Sequence, residues 1–345
     1  MLTKDQLTTM AKTCGFSRVG VVKARIFDEL LPELFERIHR KQVTSFEAKD
    51  PYQRINPFLL MPEAKTIIVT ATSYFTHHDP SAQRRPHFSG ELARFSWGLD
   101  YHRIIHQQLG RLADLLQQQQ PGLKFFRTVD TGPLVERYLA VQSGLGLYGR
   151  NNCLIVPGAG SFVVLGLLLT NEEVEGSSSS PIPLPSCRGC GRCQQACPAK
   201  ALESPYRVDI TRCISHLLQC KEPVPEPQRL IIDRKLYGCD ICQEVCPYNQ
   251  EADPPPEPAM TRYADDPWID LEELLFMSNR QFNRRFRSRA FGWRGQRVLQ
   301  RNALMILGNE TDVNAMKILK HFNHHERLEL REIAEWAIQR LQDSK

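Results

Sequence analysis

Seven of the chain's eleven cysteines fall into two short runs: Cys187, Cys190, Cys193 and Cys197, then Cys239, Cys242 and Cys246. The first run, closed by Pro198, reads C-x2-C-x2-C-x3-C-P, the spacing with which bacterial ferredoxins hold [4Fe–4S] clusters. Three thiolates at three-residue intervals each reach a different iron of one cubane. The fourth, beside the proline, is directed toward a second cluster. The second run, closed by Pro247, has only two cysteines ahead of its Cys-Pro. Exchange between the runs gives Cys187, Cys190, Cys193 and Cys246 to one cluster and Cys239, Cys242 and Cys197 to the other. The second set lacks one ligand, for which Cys213 is the first candidate and Cys220 the second. Cys14 and Cys153 lie in apolar segments and read as inert core thiols. Zinc also favours paired C-x2-C units, but C-x2-C-x2-C and two Cys-Pro endings favour cubanes. Two such clusters in series carry electrons.

The elements around these ligands follow from the apolar pattern. The 345 residues are 41% hydrophobic and 24% charged, a soluble globular balance with room for two or three domains. No run approaches the roughly 20 apolar residues of a membrane helix, and the N-terminus has no apolar signal core. Clustered cysteines in such a chain point to metal or redox chemistry in the cytoplasm rather than to disulfides. Over residues 1–175 the pattern is α/β. Leu7, Met10, Ala11 and Cys14 recur at helical spacing before Gly15, and a strand is expected over Arg18–Lys23. Further apolar runs lie at Thr66–Phe75, Lys124–Val129 and Phe162–Leu169, with a long amphipathic helix over Tyr101–Gln120. Alternating signals of this kind suggest a sheet with helices on its faces. Glu173–Pro185 reads as a linker. The cysteine block follows within 176–256, closed by ADPPPEP at 252–258. The chain then reads as helical to its end, over 257–345. Leu299, Ala303 and Leu307 are echoed by Leu330, Ala334 and Ile338, an offset that suits HEAT-like repeats as well as an ordinary helical subdomain.

Charge is uneven. The net is +5, yet Arg280–Arg301 holds eight arginines and no acid, so the remainder is net negative. A lone basic stripe points to a polyanion docking on one element. Phe282, Phe286, Phe291 and Trp293 lie within it, to anchor the segment or to stack on unpaired bases. Other motifs carry less. Gly144, Gly146 and Gly149 form a GxGxxG, but it follows a helix-like run instead of opening one after a strand, so helix-ending turns explain it better than a nucleotide site. His77 with His78, and His324 with His325, resemble paired ligands but read as solvated loop residues.

VDTGPLVERYLAVQSGLGLYGRNN, YGCDICQEVCP, the two cysteine runs and LQRNALMILGN together resemble the epoxyqueuosine reductase family, nearly end to end. The resemblance implies an α/β N-terminal cobalamin-binding domain, a ferredoxin-like domain with two [4Fe–4S] clusters, and a C-terminal all-α HEAT-like domain that helps hold tRNA. It implies reductive removal of the epoxide oxygen from epoxyqueuosine at the wobble position of a tRNA anticodon stem-loop. An electron-transfer protein or other reductant would feed the clusters, and nothing demands more than a monomer.

The resemblance places the proton donor at Asp130, in the VDTGP motif. From the residues alone, Asp130 serves equally well to stabilise the N-terminus of a helix whose first turn holds Pro133. As a general acid at neutral pH it needs a raised pKa, hence burial. Arg54, Arg150, Asn151 and Asn152 are expected corrin contacts by the same resemblance, and Ser215, beside Cys213, is expected where the cluster domain meets the cofactor. Asp100-Tyr-His102 begins the D-x-H-x-x-G with which many corrinoid enzymes ligate cobalt, but the glycine is missing. His102 therefore reads as a capping or surface histidine, with cobalamin bound base-off. Arg284, Arg285, Arg287 and Arg137 are the expected nucleic-acid contacts. A small-molecule reductive dehalogenase is the rival enzyme, and a ferredoxin-type carrier the rival of another class. The arginine stripe argues against the first and the large domain ahead of the clusters against the second.

Overall fold

The computed structural model describes residues 2–77, 85–177, 187, 189–203, 207–264 and 266–343. His78 and residues 178–185 of the expected linker lie outside these. The chain opens with α1 (Lys4–Thr13), started by a reciprocal capping box between Thr3 and Gln6, and runs straight into β1 (Arg18–Lys23). Two short helices, α2 (Leu31–His39) and α3 (Pro51–Ile55), precede β2 (Thr66–Ser73). β3 (Ser89–Leu92) comes next, then α4 (Tyr101–Gln119), capped by Asp100, whose carboxylate accepts the His102 N–H. β4 (Phe125–Thr128), α5 (Glu136–Gln142), the hairpin of β5 (Leu147–Tyr148) and β6 (Leu154–Ile155), and β7 (Val163–Thr170) complete this part.

The main sheet has the order β1-β2-β7-β4 and every neighbouring pair is antiparallel. All of β2 is buried, which only a strand covered on both faces can be. One face (Val22, Ile67, Val69, Leu167) packs with Leu34 of α2, Ile55 of α3 and Leu139 of α5. The other (Val21, Ile68, Leu168) packs with Leu7 of α1 and Ile105, Leu109 and Leu112 of α4. Helices thus cover both faces, as the alternating pattern implied.

The second half contains α6 (Arg192–Ala196), α7 (Ile214–Gln219), α8 (Glu226–Arg229), β8 (Lys235–Tyr237) and α9 (Ile241–Glu244). After them come β9 (Trp268–Asp270), α10 (Leu271–Phe276), α11 (Asn279–Phe286), α12 (Gln296–Gly308), α13 (Val313–Phe322) and α14 (Leu328–Asp343). The expectation of helix alone after the cysteine block fails at β9. Three residues suffice there because β9 only extends a sheet nucleated elsewhere: β3 lies between β8, parallel to it, and β9, antiparallel. This small sheet draws one strand from each of the stretches 1–175, 176–256 and 257–345. One continuous core accordingly runs from Phe88, Leu92 and Trp97 through Leu218 and Tyr237 to Leu307 and Leu330. The echoed nine-residue segments lie on α12 and α14, whose Leu299, Ala303, Leu307, Leu330 and Ala334 are all fully buried in that core.

Candidate functional site

The cysteines gather as the exchanged pattern requires. Cys246 lies in the electrostatic field of Cys193, Cys190 and Cys187, and these four border a cavity of about 360 Å³ together with Arg150, Asn151 and Tyr248. Gly189 and Gly191 make the tight wrap possible, with φ of 74° and 75° that side chains rarely tolerate. Cys213 lies in the field of Cys242 and Cys197, and Cys239 in that of Cys242. Cys193 also senses Cys242, so the two sets adjoin. Cys220 belongs to neither: it is buried, and its thiol donates to the Leu217 carbonyl. Among the described residues no three donors converge as a single metal ion needs, whereas four cysteines around a cavity of this size fit a cubane. Cys14 is a buried thiol, as its apolar segment implied. Cys153 is not. It is only half-buried and interacts with the Cys242 thiol, because the β5–β6 hairpin carries it to the cluster block.

On the opposite side of the hairpin stands a group of ionisable side chains. Asp130 follows β4 in a sharp turn, with φ of 57° and the Thr131 N–H donating to the Val129 carbonyl at 2.5 Å. A left-handed aspartate is strained, and such strain gathers at functional sites. Its Oδ2 accepts the Tyr101 hydroxyl at 2.7 Å and lies 3.6 Å from His102 Nε2. The other ring nitrogen, Nδ1, is 2.8 Å from Asp100 Oδ1, and the ring stacks on Tyr101 with centroids 4.2 Å apart. The Asp130 N–H donates to Glu136 Oε1 at 2.8 Å.

This geometry corrects three expectations. Asp130 does not stabilise a helix with Pro133 in its first turn, because α5 begins only at Glu136. His102 is neither the cap of α4 nor a free surface group: Asp100 is the cap, and the ring is held between two carboxylates. Asp130 does not have a raised pKa. Surrounding protein pushes it up, but the bonds from His102 and Tyr101 outweigh that and hold the carboxyl below its ordinary value, with the side chain 61% exposed. The proton resides elsewhere. Burial works against charge on His102, yet Asp100 and Asp130 together raise it to about 9. Burial, reinforced by the charge of Asp130, pushes Glu136 up to about 8.

The remaining expected contacts divide between places. Arg54 is buried and paired with Glu47 at 2.5 Å; Glu47, despite its own burial, is held down to about 2, first by Arg37. Among the described residues Arg54 Nε has no hydrogen-bond partner, nor has the buried Tyr237 hydroxyl, which lies in the field of Asp100 and Asp130. Arg150 and Asn151 stand at the cluster cavity instead; Asn151 Nδ2 donates to the Cys242 carbonyl at 3.4 Å. Asn152, at φ 62°, presents its carbonyl to Arg137, which in turn lies in the field of Arg54. Ser215 opens α7 beside His216, whose ring meets Phe46 edge-on.

The arginine stripe is not one face. Arg289 and Arg301 are buried: Arg301 ties together the carbonyls of Leu217, Cys220 and Glu222, and Arg289 pairs with Asp266 at 3.6 Å. Arg285 pairs with Glu273 and Arg297 with Glu329, so acids from other elements offset the repulsion expected within the segment. Arg280, Arg284 and Arg287 remain exposed, with no ion pair among the described residues. Phe282, Phe286 and Phe291 anchor in the core, whereas Trp293 is 53% exposed and stands beside Phe46 and the Arg294 guanidinium. Sequence reasoning missed Tyr101, Glu136, Glu47 and Phe46, none of which carries a spacing signal. Among the described residues His77, His324 and His325 belong to no group of metal donors, His78 lying outside them; His325 stacks on Phe322. Gly144, at φ 72°, ends α5 as expected, whereas Gly146 and Gly149 flank β5 instead of ending a helix.

A helix-covered sheet presenting an ionisable cluster, joined to a block of eight converging cysteines, defines an iron–sulfur oxidoreductase. Residues 186–249 match the family described as 4Fe-4S double cluster binding domain, and residues 54–131 match Epoxyqueuosine reductase QueG, DUF1730. The epoxyqueuosine reductase of Lactococcus garvieae is 33% identical over 99% of this chain and 96% of its own. A crystal structure of an epoxyqueuosine reductase with a tRNA-Tyr epoxyqueuosine-modified stem loop superposes with a TM-score of 0.90 at 34% identity, covering 98% of this chain and 90% of that one. The Bacillus subtilis enzyme, solved with its aspartate-bearing catalytic loop swung out of the active site, gives 0.89 at 33% identity over the same shares. The chain belongs to the epoxyqueuosine reductase family.

Proposed function

We propose that this protein removes the epoxide oxygen of epoxyqueuosine at the wobble position of tRNA, yielding queuosine. The observation that carries this reading is the fit, nearly end to end, to a relative solved with an epoxyqueuosine-modified stem loop. The reaction consumes two electrons and two protons and releases water. Cys187, Cys190, Cys193 and Cys246 hold one [4Fe–4S] cluster; Cys197, Cys213, Cys239 and Cys242 hold the other. Cobalamin is supported by donors that have no partner among the described residues, Arg54 Nε and the Tyr237 hydroxyl, which suit its amide carbonyls and phosphate; Arg150, Asn151, Asn152 and Ser215 are its further contacts in this reading. When bound, the clusters and cobalamin supply the electrons. Asp130 gives the proton to the epoxide oxygen, its carboxylate standing on a turn like the mobile aspartate loop of the Bacillus subtilis relative.

In this reading residues 1–175 hold cobalamin, 176–256 the clusters, and 257–345 help hold the tRNA, with Arg284, Arg285, Arg287 and Arg137 on its backbone. A soluble reductant or electron-transfer protein loads the clusters. No helix among the described residues is long and apolar enough to cross a membrane, in keeping with cytoplasmic work on tRNA. The test is nucleoside analysis of epoxyqueuosine-containing tRNA incubated anaerobically with the reconstituted protein and a low-potential reductant. Queuosine must appear in proportion to enzyme. Turnover of halogenated small molecules with the tRNA untouched would instead support the dehalogenase reading.

A further inference from the structure

Two protons must reach the substrate in each turnover: one to the epoxide oxygen as the first C–O bond breaks, one to the resulting hydroxyl as it leaves as water. A single carboxyl carries only one. Resting on the function just proposed, we infer that His102 stores the proton that Asp130 delivers, and that Asp100 holds the ring in place for the transfer.

The geometry supports each link. Asp100 Oδ1 receives Nδ1 at 2.8 Å, which leaves Nε2 directed at Asp130 Oδ2, 3.6 Å away. That gap is loose in the free protein, as catalytic hydrogen bonds often are before substrate binds. Tyr101 fixes both partners: its ring stacks on the imidazole and its hydroxyl donates to the same Oδ2 at 2.7 Å. Asp130 Oδ1 has no bond among the described residues and is the oxygen left to the substrate. His102 is 22% exposed, enough to recharge from water.

The charges around the ring are consistent with storage. From α4 and its cap it faces Asp100, Tyr101 and His106; from the turn after β4, Asp130; and from α5, Glu136; Arg137 of α5 bears on Asp130 and Glu136, and Tyr237 of β8 on Asp100 and Asp130. The two carboxylates prevail, and the imidazolium persists to about pH 9 while Asp130 is ionised. At neutral pH the acid of this site is therefore the pair, with its proton on nitrogen. In the reaction the Nε2–H bond breaks and an Oδ2–H bond forms; rotation of the Asp130 carboxyl about its Cβ–Cγ bond turns that O–H toward the substrate, where it breaks as the epoxide oxygen takes the proton and the carboxylate is restored. A second transfer from the recharged ring supplies the proton that turns the hydroxyl into water. Glu136 also holds a proton, but its Oε1 contacts the Asp130 backbone, not the carboxylate.

The experiment compares wild type, His102→Gln and Asp100→Asn as holoenzymes on epoxyqueuosine-containing tRNA from pH 6 to about 10. Wild-type kcat should fall on an alkaline limb near pH 9. His102→Gln should keep iron content, cobalamin spectrum and KM, lose about 100-fold or more in kcat, and recover activity with added imidazole. Asp100→Asn should lose part of its kcat at pH 7, with the alkaline limb moved down by about one unit. Near-full activity of His102→Gln would overturn the inference, as would a loss accompanied by an unmoved limb in Asp100→Asn and no imidazole rescue. A wild type that makes no queuosine would overturn the functional reading itself.

Discussion

At the scale of single residues, the site is a contest between burial and neighbouring charge. Asp130 loses its proton to its surroundings and Glu136, six residues on, keeps one. Asp130→Asn should retain both clusters and cofactor yet lose about 10²–10⁴ in rate, the usual contribution of a general acid; a loss below about tenfold would remove it from that role. Glu136 predicts an effect on stability. Its folded pKa, about 8, stands above the unfolded 4.5, so its contribution is fully present below the unfolded value and is lost as pH rises through 8. Glu136→Gln keeps an oxygen for the Asp130 N–H and removes the titration. Thermal melts should then show a variant more stable than wild type at pH 9, with little difference at pH 5. None of this was legible from sequence, where Asp130 and His102 were visible as members of motifs but their mutual approach, a contact between α4 and the β4–α5 turn, was not.

At the scale of elements, local pattern was a good guide and tertiary partnership a poor one. The Arg18–Lys23 strand was readable as a β-rich run directly after a helix-ending glycine, and the Tyr101 helix because its apolar residues repeat with the helical period. β9 was not readable, since three residues carry no period. The two cysteine runs predict crossed ligation: Cys197→Ala should cost the second cluster and Cys246→Ala the first, by iron counting and electron paramagnetic resonance, while Cys213→Ser loses iron and Cys220→Ser does not. Clusters that each followed their own run would refute the exchange. The arginine segment predicts a divided response. Arg284→Ala and Arg287→Ala should each weaken tRNA binding and reduce its salt dependence by about 0.7–0.9 log units per lost phosphate contact, whereas Arg285→Ala, whose guanidinium already serves Glu273, should do less. Trp293→Ala should cost about 1–3 kcal/mol of tRNA affinity if a base stacks there, with no change of salt slope. Fluorescence anisotropy at two salt concentrations measures both.

At the scale of the whole molecule, the three stretches delimited by composition are tied together by one of its cores, which runs from Phe88 to Leu341. Cluster loss should therefore be felt beyond the cysteine block. β8 ends two residues before Cys239 and is paired with β3, so hydrogen exchange in iron-free protein should rise at Glu91 and Leu92, in the first third of the chain, as well as near the ligands. Unchanged protection there would mean that the small sheet stands without the cofactor. The same sheet bears on how the protein is made. β3 leaves the ribosome long before β8 and β9 exist, and until they follow, both of its edges are open to any passing strand. The N-terminal sheet, complete by Thr170, can close early; helix α4, which begins soon after β3, cannot receive its final surroundings until the Ser288 carbonyl is there to accept the Asp100 N–H. A premature stop anywhere before Trp268 thus leaves a nascent chain with an unpaired β3 edge, a species for chaperones and proteases rather than a smaller working enzyme.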